Sequence, residues 1–129
     1  MNMTMKLTLR KLPETYAVAR LPAEDPLPDW LEGGGLNAMV RAQDELTVVC
    51  PESRVPQDVQ AERGWACLRT IGPFPFDAAG IVHKLIGPLS ENGIGVFVLC
   101  TFDGEHLLYP QSDAARAEQL LRDAGHQFA

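Results

Sequence analysis

Cysteine is scarce in this sequence, and its spacing excludes two common uses of the thiol. Cys50, Cys67 and Cys100 are an odd number and form no C-x-x-C pair, so neither a disulfide framework nor a thiolate zinc site is indicated. Each lies in an apolar, strand-like stretch, where a thiol behaves as a small hydrophobic group. We therefore expect three buried structural thiols.

Histidine is equally scarce. His83, His106 and His126 lie 23 and 20 positions apart, too far for two of them to share a helical face as metal ligands. The sequence has no phosphate-binding G-x-x-x-x-G-K-[ST] or G-x-G-x-x-G motif after a strand, and no nucleophile spaced for pairing with a base. We expect no metal, no cofactor and no catalytic residue.

Positive charge is in short supply as well. Eleven Lys and Arg face 17 Asp and Glu, for a formal net charge of −6, which argues against nucleic acid or an anionic membrane as partner. Lys6, Arg10 and Lys11 form the only local basic cluster. Because no apolar run approaches the ~18 residues of a membrane span, and no apolar stretch follows a basic start, we expect a cytoplasmic protein.

One phrase occurs twice in the chain. The stretch VVCPES at 48–53 is matched by LLYPQS at 107–112, 59 positions later, and in each case an aspartate, Asp44 or Asp103, precedes the proline by seven positions. The match covers a turn, a strand and the exit from that strand. We interpret it as an internal repeat.

The first half predicts short strands and no long helix. Residues 15–21 alternate apolar with polar or small residues and end at a proline, as a half-buried strand does. The segment 23–35 is too rich in Pro and Gly for more than a short helical turn at 29–31. Residues 36–42 and 46–50 are predicted to form a hairpin.

The second half begins with a predicted strand at 66–71. From Asp77 the apolar residues follow a helical spacing as far as Asn92-Gly93. The buried face of this helix is predicted to hold Ile81, Val82, Leu85, Ile86 and Leu89. Pro88 should kink the helix without ending it, because it removes one backbone hydrogen bond.

Three strands and a second helix complete the pattern. Residues 95–101 are apolar nearly throughout, which favours a central strand covered on both faces. A tight turn leads to an antiparallel return strand at 106–109. Ser112 is the predicted N-cap of a helix whose stripe is Ala114, Ala117, Leu120, Leu121 and Ala124, and residues 126–128 predict a last edge strand.

This order is the α+β, ferredoxin-like βαββαβ arrangement, an antiparallel sheet with helices on one face. The first half reads as an abbreviated copy of it. We therefore predict two tandem units, at 1–64 and 65–129, with the polar, proline-broken segment 51–64 as the linker between them.

The stretch PFDAAGIVHKLIGPLSENGIGVFVLCTFDGEHLLYPQSD, at 75–113, resembles the ACT family of small-molecule-binding regulatory domains. The likeness rests on F-D-x-x-G-I, a helix with an internal Pro-Leu, and C-T-F before an acidic residue and a strand ending in proline. It is closest to short tandem ACT proteins and related cytosolic amino-acid sensors, and it extends faintly through 15–74.

The resemblance implies a binding site at the first strand-to-helix loop and the neighbouring strands, and it implies pairing of ACT units. Carried over by position, the ligand-binding residues are Asp77, Ala78, Ala79, Gly80 and Ile81 in the loop, Thr101, Phe102 and Glu105 on the facing strand end, and Thr70 and Ile71 from an adjacent ACT unit.

Physical chemistry supports such a site for a zwitterion. Amide groups at a helix start attract an α-carboxylate by about 0.3–1 kcal/mol per charge–dipole interaction, and Gly80 permits close approach. Glu105 or Asp77 can accept from an ammonium group, and Phe102 can cover an aliphatic chain. Each residue also has a structural alternative: Asp77 as a helix cap, Gly80 and Phe102 as packing residues, Glu105 as a solvated charge.

We expect a non-catalytic sensor that binds an amino acid or similar small zwitterion, acts through ACT–ACT interfaces, and forms a homodimer. A ligand-free interaction or dimerisation module is the alternative. A thermal-shift screen with the common amino acids separates the two.

Overall fold

The computed structural model describes residues 6–72, 74–75 and 77–129. They divide into two compact units, Glu14–Trp65 and the residues up to Pro13 together with Ala66–Ala129. We call the first the strand unit and the second the helical unit. Within the described ranges, no helix is long and apolar enough to cross a membrane.

In chain order the strands and helices are β1 (Thr8–Lys11), β2 (Tyr16–Leu21), β3 (Ala38–Arg41), β4 (Leu46–Pro51), β5 (Ala61–Thr70), α1 (Ile81–Ser90), β6 (Phe97–Cys100), β7 (Glu105–Pro110), α2 (Ala114–Asp123) and β8 (Gln127–Phe128). Short 3-10 helices cover Asp29–Leu31, Glu52–Arg54 and Gln111–Asp113. The second half thus has the predicted order of strand, helix, strand, strand, helix, strand.

The sheet of the helical unit runs β6-β7-β5-β1-β8. A four-stranded ferredoxin-like sheet would pair β5 with β8, but here β1 lies between them, antiparallel to β5 and parallel to β8. Leu9 is the register partner of Thr70 on one side and of Phe128 on the other. The N-terminal strand is therefore an internal strand of the helical unit.

Both helices pack on one face of this sheet. Leu9 and Leu68 are fully buried in a cluster that includes Leu85 of α1 and Leu121 of α2. Because side chains alternate along a strand, Arg10, next to Leu9, lies on the opposite face, away from the helices. The fold is α+β and ferredoxin-like, as predicted, but the sheet is mixed rather than antiparallel because β1 and β8 run parallel.

The strand unit has the strand order of a four-stranded βαββαβ sheet but contains no α-helix. Its strands run β3-β4-β2-β5, all pairs antiparallel, and 3-10 helices stand where βαββαβ has helices. Leu31 and Val55, within and beside these short helices, pack on the strand core. Arg54 donates hydrogen bonds to the carbonyls of Trp30 and Leu31, which holds the Pro/Gly segment in place.

The repeated phrase occupies equivalent places in the two units. Pro51 ends β4 and Pro110 ends β7, each with an extended backbone (φ −53° and ψ 133°; φ −58° and ψ 131°), and each is followed at once by a 3-10 helix. The repeat in sequence is therefore a repeat in backbone geometry.

The unit boundaries differ from those expected at 1–64 and 65–129. The prediction that residues 51–64 form a linker is wrong at its end, because β5 begins at Ala61, and Ala61 pairs with Ala19 of β2. Residues 6–13 belong to the helical unit. Chain order alone could not reveal either pairing, since both depend on contacts between distant strands.

Three local predictions are also corrected. The apolar stretch 95–101 forms an edge strand, since β6 pairs only with β7 among the described strands and its residues are half-buried or exposed. Helix α1 begins at Ile81 after Gly80, four residues later than expected. The residue before α2 is Asp113, so Ser112 is not the N-cap, and no side chain caps that helix.

Candidate functional site

A cavity of about 480 Å³ opens in the helical unit beside the start of α1 and the turn between β6 and β7. Its walls are Phe74, Pro75, Ala78, Ile81, Val82, Cys100, Thr101, Phe102, Asp103, Gly104 and Glu105. The volume lies within the ~300–1,000 Å³ of typical small-molecule sites.

The first turn of α1 forms one wall of the cavity. Gly80 has φ +88°, in the left-handed region that glycine adopts without strain, and this conformation sets where the helix starts. The amide of Lys84 donates to the Gly80 carbonyl at 3.0 Å. The amides of the three residues between them therefore have no acceptor within the helix, and no side chain caps it.

Glu105, at the start of β7, supplies a fixed carboxylate in the cavity wall. The hydroxyl of Thr70, which is fully buried, donates to Glu105 Oε1 at 3.0 Å. The same hydroxyl accepts from the Glu105 amide, also at 3.0 Å. Because these bonds hold the backbone and the side chain together, the carboxylate is positioned before any ligand arrives.

The turn between β6 and β7 forms another wall of the cavity. The amide of Thr101 donates to the Gly104 carbonyl at 2.7 Å, and its hydroxyl donates to the same oxygen at 3.1 Å. A Cβ at Gly104 would lie 2.6 Å from the Thr70 hydroxyl, so only glycine fits beside the bonds that fix Glu105. Phe102, at the tip, is 80% exposed.

The charge around the cavity has one sign. Asp103 and Glu105 are both lining residues, and the described lining includes no Lys or Arg. A ligand carboxylate would have to use the helix amides, whereas an ammonium group would meet carboxylates. The arrangement suits a zwitterion better than a simple anion.

The structure brings half of the predicted site residues together. Ala78, Ile81, Thr101, Phe102 and Glu105 line one cavity. Asp77, Ala79 and Gly80 are exposed residues of the adjoining loop, Thr70 lies behind Glu105, and Ile71 lines a different cavity.

Six lining residues were not predicted, namely Phe74, Pro75, Val82, Cys100, Asp103 and Gly104. The Asp103-Gly104 turn was visible in the sequence as a turn, and its neighbours on both sides were already candidates. The expectation of three buried thiols is wrong for Cys100, which is exposed in the cavity wall, whereas Cys50 and Cys67 are buried. Burial raises the pKa of the Cys50 thiol.

Metal binding finds no support in the described part of the chain, where no three His, Cys, Asp or Glu residues cluster as ligands. The helical unit is thus a ferredoxin-like α+β domain with an acidic cavity at the start of its first helix.

The comparisons place this fold in a family. Residues 60–123 match the family model described as an ACT domain, and residues 14–58 match a separate model described only as an N-terminal domain. An X-ray structure of a protein from Agrobacterium tumefaciens is 46% identical, with a TM-score of 0.92, over 97% of this chain and 93% of that one. The chain belongs to the same family as that protein, and its residues 60–123 match the ACT-domain model.

More distant structures share the fold alone. The ligand-free regulatory subunit of aspartate kinase from Thermus thermophilus is 8% identical, with a TM-score of 0.61, over 87% of this chain and 93% of that one. Aspartokinase III from E. coli, in complex with aspartate and ADP, is 15% identical, with a TM-score of 0.59, over 91% of this chain and 32% of that one. Comparison with curated proteins gives no match.

Proposed function

We propose that this protein is a non-catalytic regulatory protein whose helical unit binds an amino acid or a similar small zwitterion. The observation that carries the proposal is one cavity lined both by the uncapped first turn of α1 and by the prearranged Glu105 carboxylate. The ACT match supports it.

The ligand's two charges would bind at opposite walls. Its α-carboxylate would accept hydrogen bonds from amides in the first turn of α1, near Ile81 and Val82. Its ammonium group would donate to Glu105, with Asp103 as a second acceptor. The aliphatic portion would pack on Phe74 and Phe102, which line the same cavity.

The cavity contains its own reporter. Cys100 is exposed in the wall, whereas Cys50 and Cys67 are buried. A bound ligand should slow alkylation of Cys100 by iodoacetamide. We would screen the common amino acids by thermal shift and by peptide mass spectrometry of the alkylated protein.

Variants separate the site from general stability. Glu105→Gln removes the charge that would hold the ammonium group and should abolish both the thermal shift and the protection of Cys100. Glu91→Gln makes the same change at the far end of α1, where Glu91 is exposed, and should leave both intact. Equal behaviour of the two variants, or no response to any amino acid, would count against the proposal.

An interaction module without a ligand is the second candidate. Met39 and Val40 are 40% and 54% exposed on β3, and β3 is the edge strand of the strand unit. Exposed apolar edge strands favour pairing with another chain, so we infer a homodimer under either candidate. Light scattering with Val40→Lys tests whether this edge is used: a monomeric variant supports it, and an unchanged dimer excludes it.

A further inference from the structure

Arg10 and Arg69 form an unusual pair on the sheet face opposite the helices. They are direct cross-strand partners, Arg10 on β1 and Arg69 on β5. Their register neighbours Leu9 and Leu68 belong to the core beneath the helices, so the alternation of side chains places both arginines on the other face. Like charges directly opposite each other destabilise a sheet.

Among the described residues, no carboxylate forms an ion pair with either guanidinium group. The salt bridge found among the described residues joins Lys11 to Glu118 at 2.7 Å, on the helix-covered face. Arg69 makes one long hydrogen bond, 3.4 Å from its Nε to the carbonyl of Thr70, and no hydrogen bond is found for Arg10 within the described ranges. In a chain of net charge −6, two adjacent unpaired guanidinium groups call for a reason.

The two arginines line a cavity of about 390 Å³. Its other walls are Ile71, Gly72 and Asp103. Arg69 also lies near His106 of β7, whose pKa is lowered by burial and then by the Arg69 charge. The Nδ1 atom of His106 is buried and has no hydrogen-bond partner in the described structure. The described lining is therefore electropositive, with Asp103 as its one acidic residue.

We propose that Arg10 and Arg69 bind a phosphate group in this cavity. Two guanidinium groups can each present a planar fork of N–H donors, the geometry that suits a tetrahedral oxyanion. The Asp103 carboxylate would repel a fully deprotonated anion, but it can accept a hydrogen bond from the hydroxyl that phosphate carries near neutral pH. Sulfate lacks that hydroxyl.

This site is distinct from the cavity beside the start of α1, although Asp103 lines both. The proposal does not depend on amino-acid binding, since neither Arg10 nor Arg69 lines that first cavity. A free phosphate ion and a small phosphate monoester both present oxygens to the two arginines, although the monoester carries a hydroxyl for Asp103 only as its monoanion. Inorganic phosphate and methyl phosphate are the two probes that distinguish them.

The test is a titration of the ¹⁵N-labelled full chain in chloride buffer at constant ionic strength. Inorganic phosphate should cause saturable shifts of the Ile71 and Gly72 amides. Arg10→Gln and Arg69→Gln should each weaken binding about tenfold or more, because each removes a charge-assisted contact. Arg116→Gln, an exposed change of the same charge on α2, should leave it unchanged.

Each outcome of this titration either supports or overturns the proposed phosphate site. Equal loss in all three variants, or no saturable phosphate response in the wild type, overturns the site. Affinity for sulfate equal to that for phosphate refutes the part given to Asp103. Tighter binding of methyl phosphate than of phosphate identifies an ester as the ligand class, and the reverse identifies free phosphate.

The variants are expected to fold, since each relieves a like-charge pair. Without anion, Arg69→Gln should therefore unfold at the same urea concentration as the wild type or a higher one. A marked loss of stability without anion would show that Arg69 has a structural role instead.

Discussion

Replacing Thr70 by Val tests how the candidate site is held together. The Thr70 side chain is fully buried, and its hydroxyl both accepts from the Glu105 amide and donates to the Glu105 carboxylate. Valine has nearly the same shape, so packing is kept while both hydrogen bonds are lost. Any effect then reports on the hydroxyl.

The expected cost is about 2.5–3 kcal/mol in the free energy of unfolding. A buried amide left without an acceptor costs about 1–3 kcal/mol, and a hydrogen bond to a charged group contributes about 1.5–3 kcal/mol. The cost should lie near the lower end of these two contributions together, because Glu105 is only half-buried and water can hydrogen-bond to its carboxylate in place of the lost hydroxyl.

Urea denaturation followed by circular dichroism gives the free energy, and hydrogen exchange of the Glu105 amide gives its location. Thr70→Val should lower the free energy and remove protection from that amide, whereas Thr70→Ser, which keeps the hydroxyl, should retain the protection. Unchanged protection in Thr70→Val would refute the view that this hydroxyl fixes Glu105, whatever the change in stability.

Two further changes test other features. His106 has a pKa lowered from 6.5 by burial and by the Arg69 charge. The unfolded chain therefore takes up the proton first, and the free energy of unfolding falls as the pH decreases below about 6.5. In His106→Leu, the urea midpoint should fall less between about pH 7 and 5 than in the wild type, and an identical pH profile would refute this cause. Gly80→Ala should lower the free energy of unfolding by about 1–2 kcal/mol through the positive φ alone, since a Cβ there meets nothing within 4 Å. Gly80→Asn should lower it less, because Asn adopts a positive φ more readily, as thermal denaturation would measure. Equal losses in the two variants would contradict the explanation from the positive φ.

Periodicity alone predicted most of the helical unit. The spacing of Ile81, Leu85 and Leu89 identified α1, and all three are buried. The start of the helix was misplaced because Asp77 has the side chain of a good cap, whereas the position is set by the left-handed backbone of Gly80. Side-chain preference is local, but the turn that precedes a helix is fixed by tertiary packing.

Strand neighbours were the least predictable feature. The apolar run around Phe97 suggested a central strand, yet β6 is at an edge. The strand that does lie inside the sheet, β1, carries Arg10 and Lys11 and was not predicted at all. Its signal was the alternation of Leu7 and Leu9, both buried, but too short a pattern to identify a strand by itself.

The site residues that lie within a recognisable sequence motif could be predicted, whereas those brought together by strand pairing could not. Glu105 and Phe102 follow from the resemblance at the end of β6. The role of Thr70 as the residue that holds Glu105 depends on two strands meeting, and no local pattern indicates that contact. The pairing of Arg10 with Arg69 is hidden for the same reason.

The internal position of β1 has a consequence for how the helical unit folds. β1 has β5 as one neighbour and β8 as the other. Both neighbours are distant from β1 along the chain, so the helical unit closes its sheet only through contacts of long sequence separation, which slow folding. A protease that cut after Pro13 would remove the middle of a sheet rather than a tail.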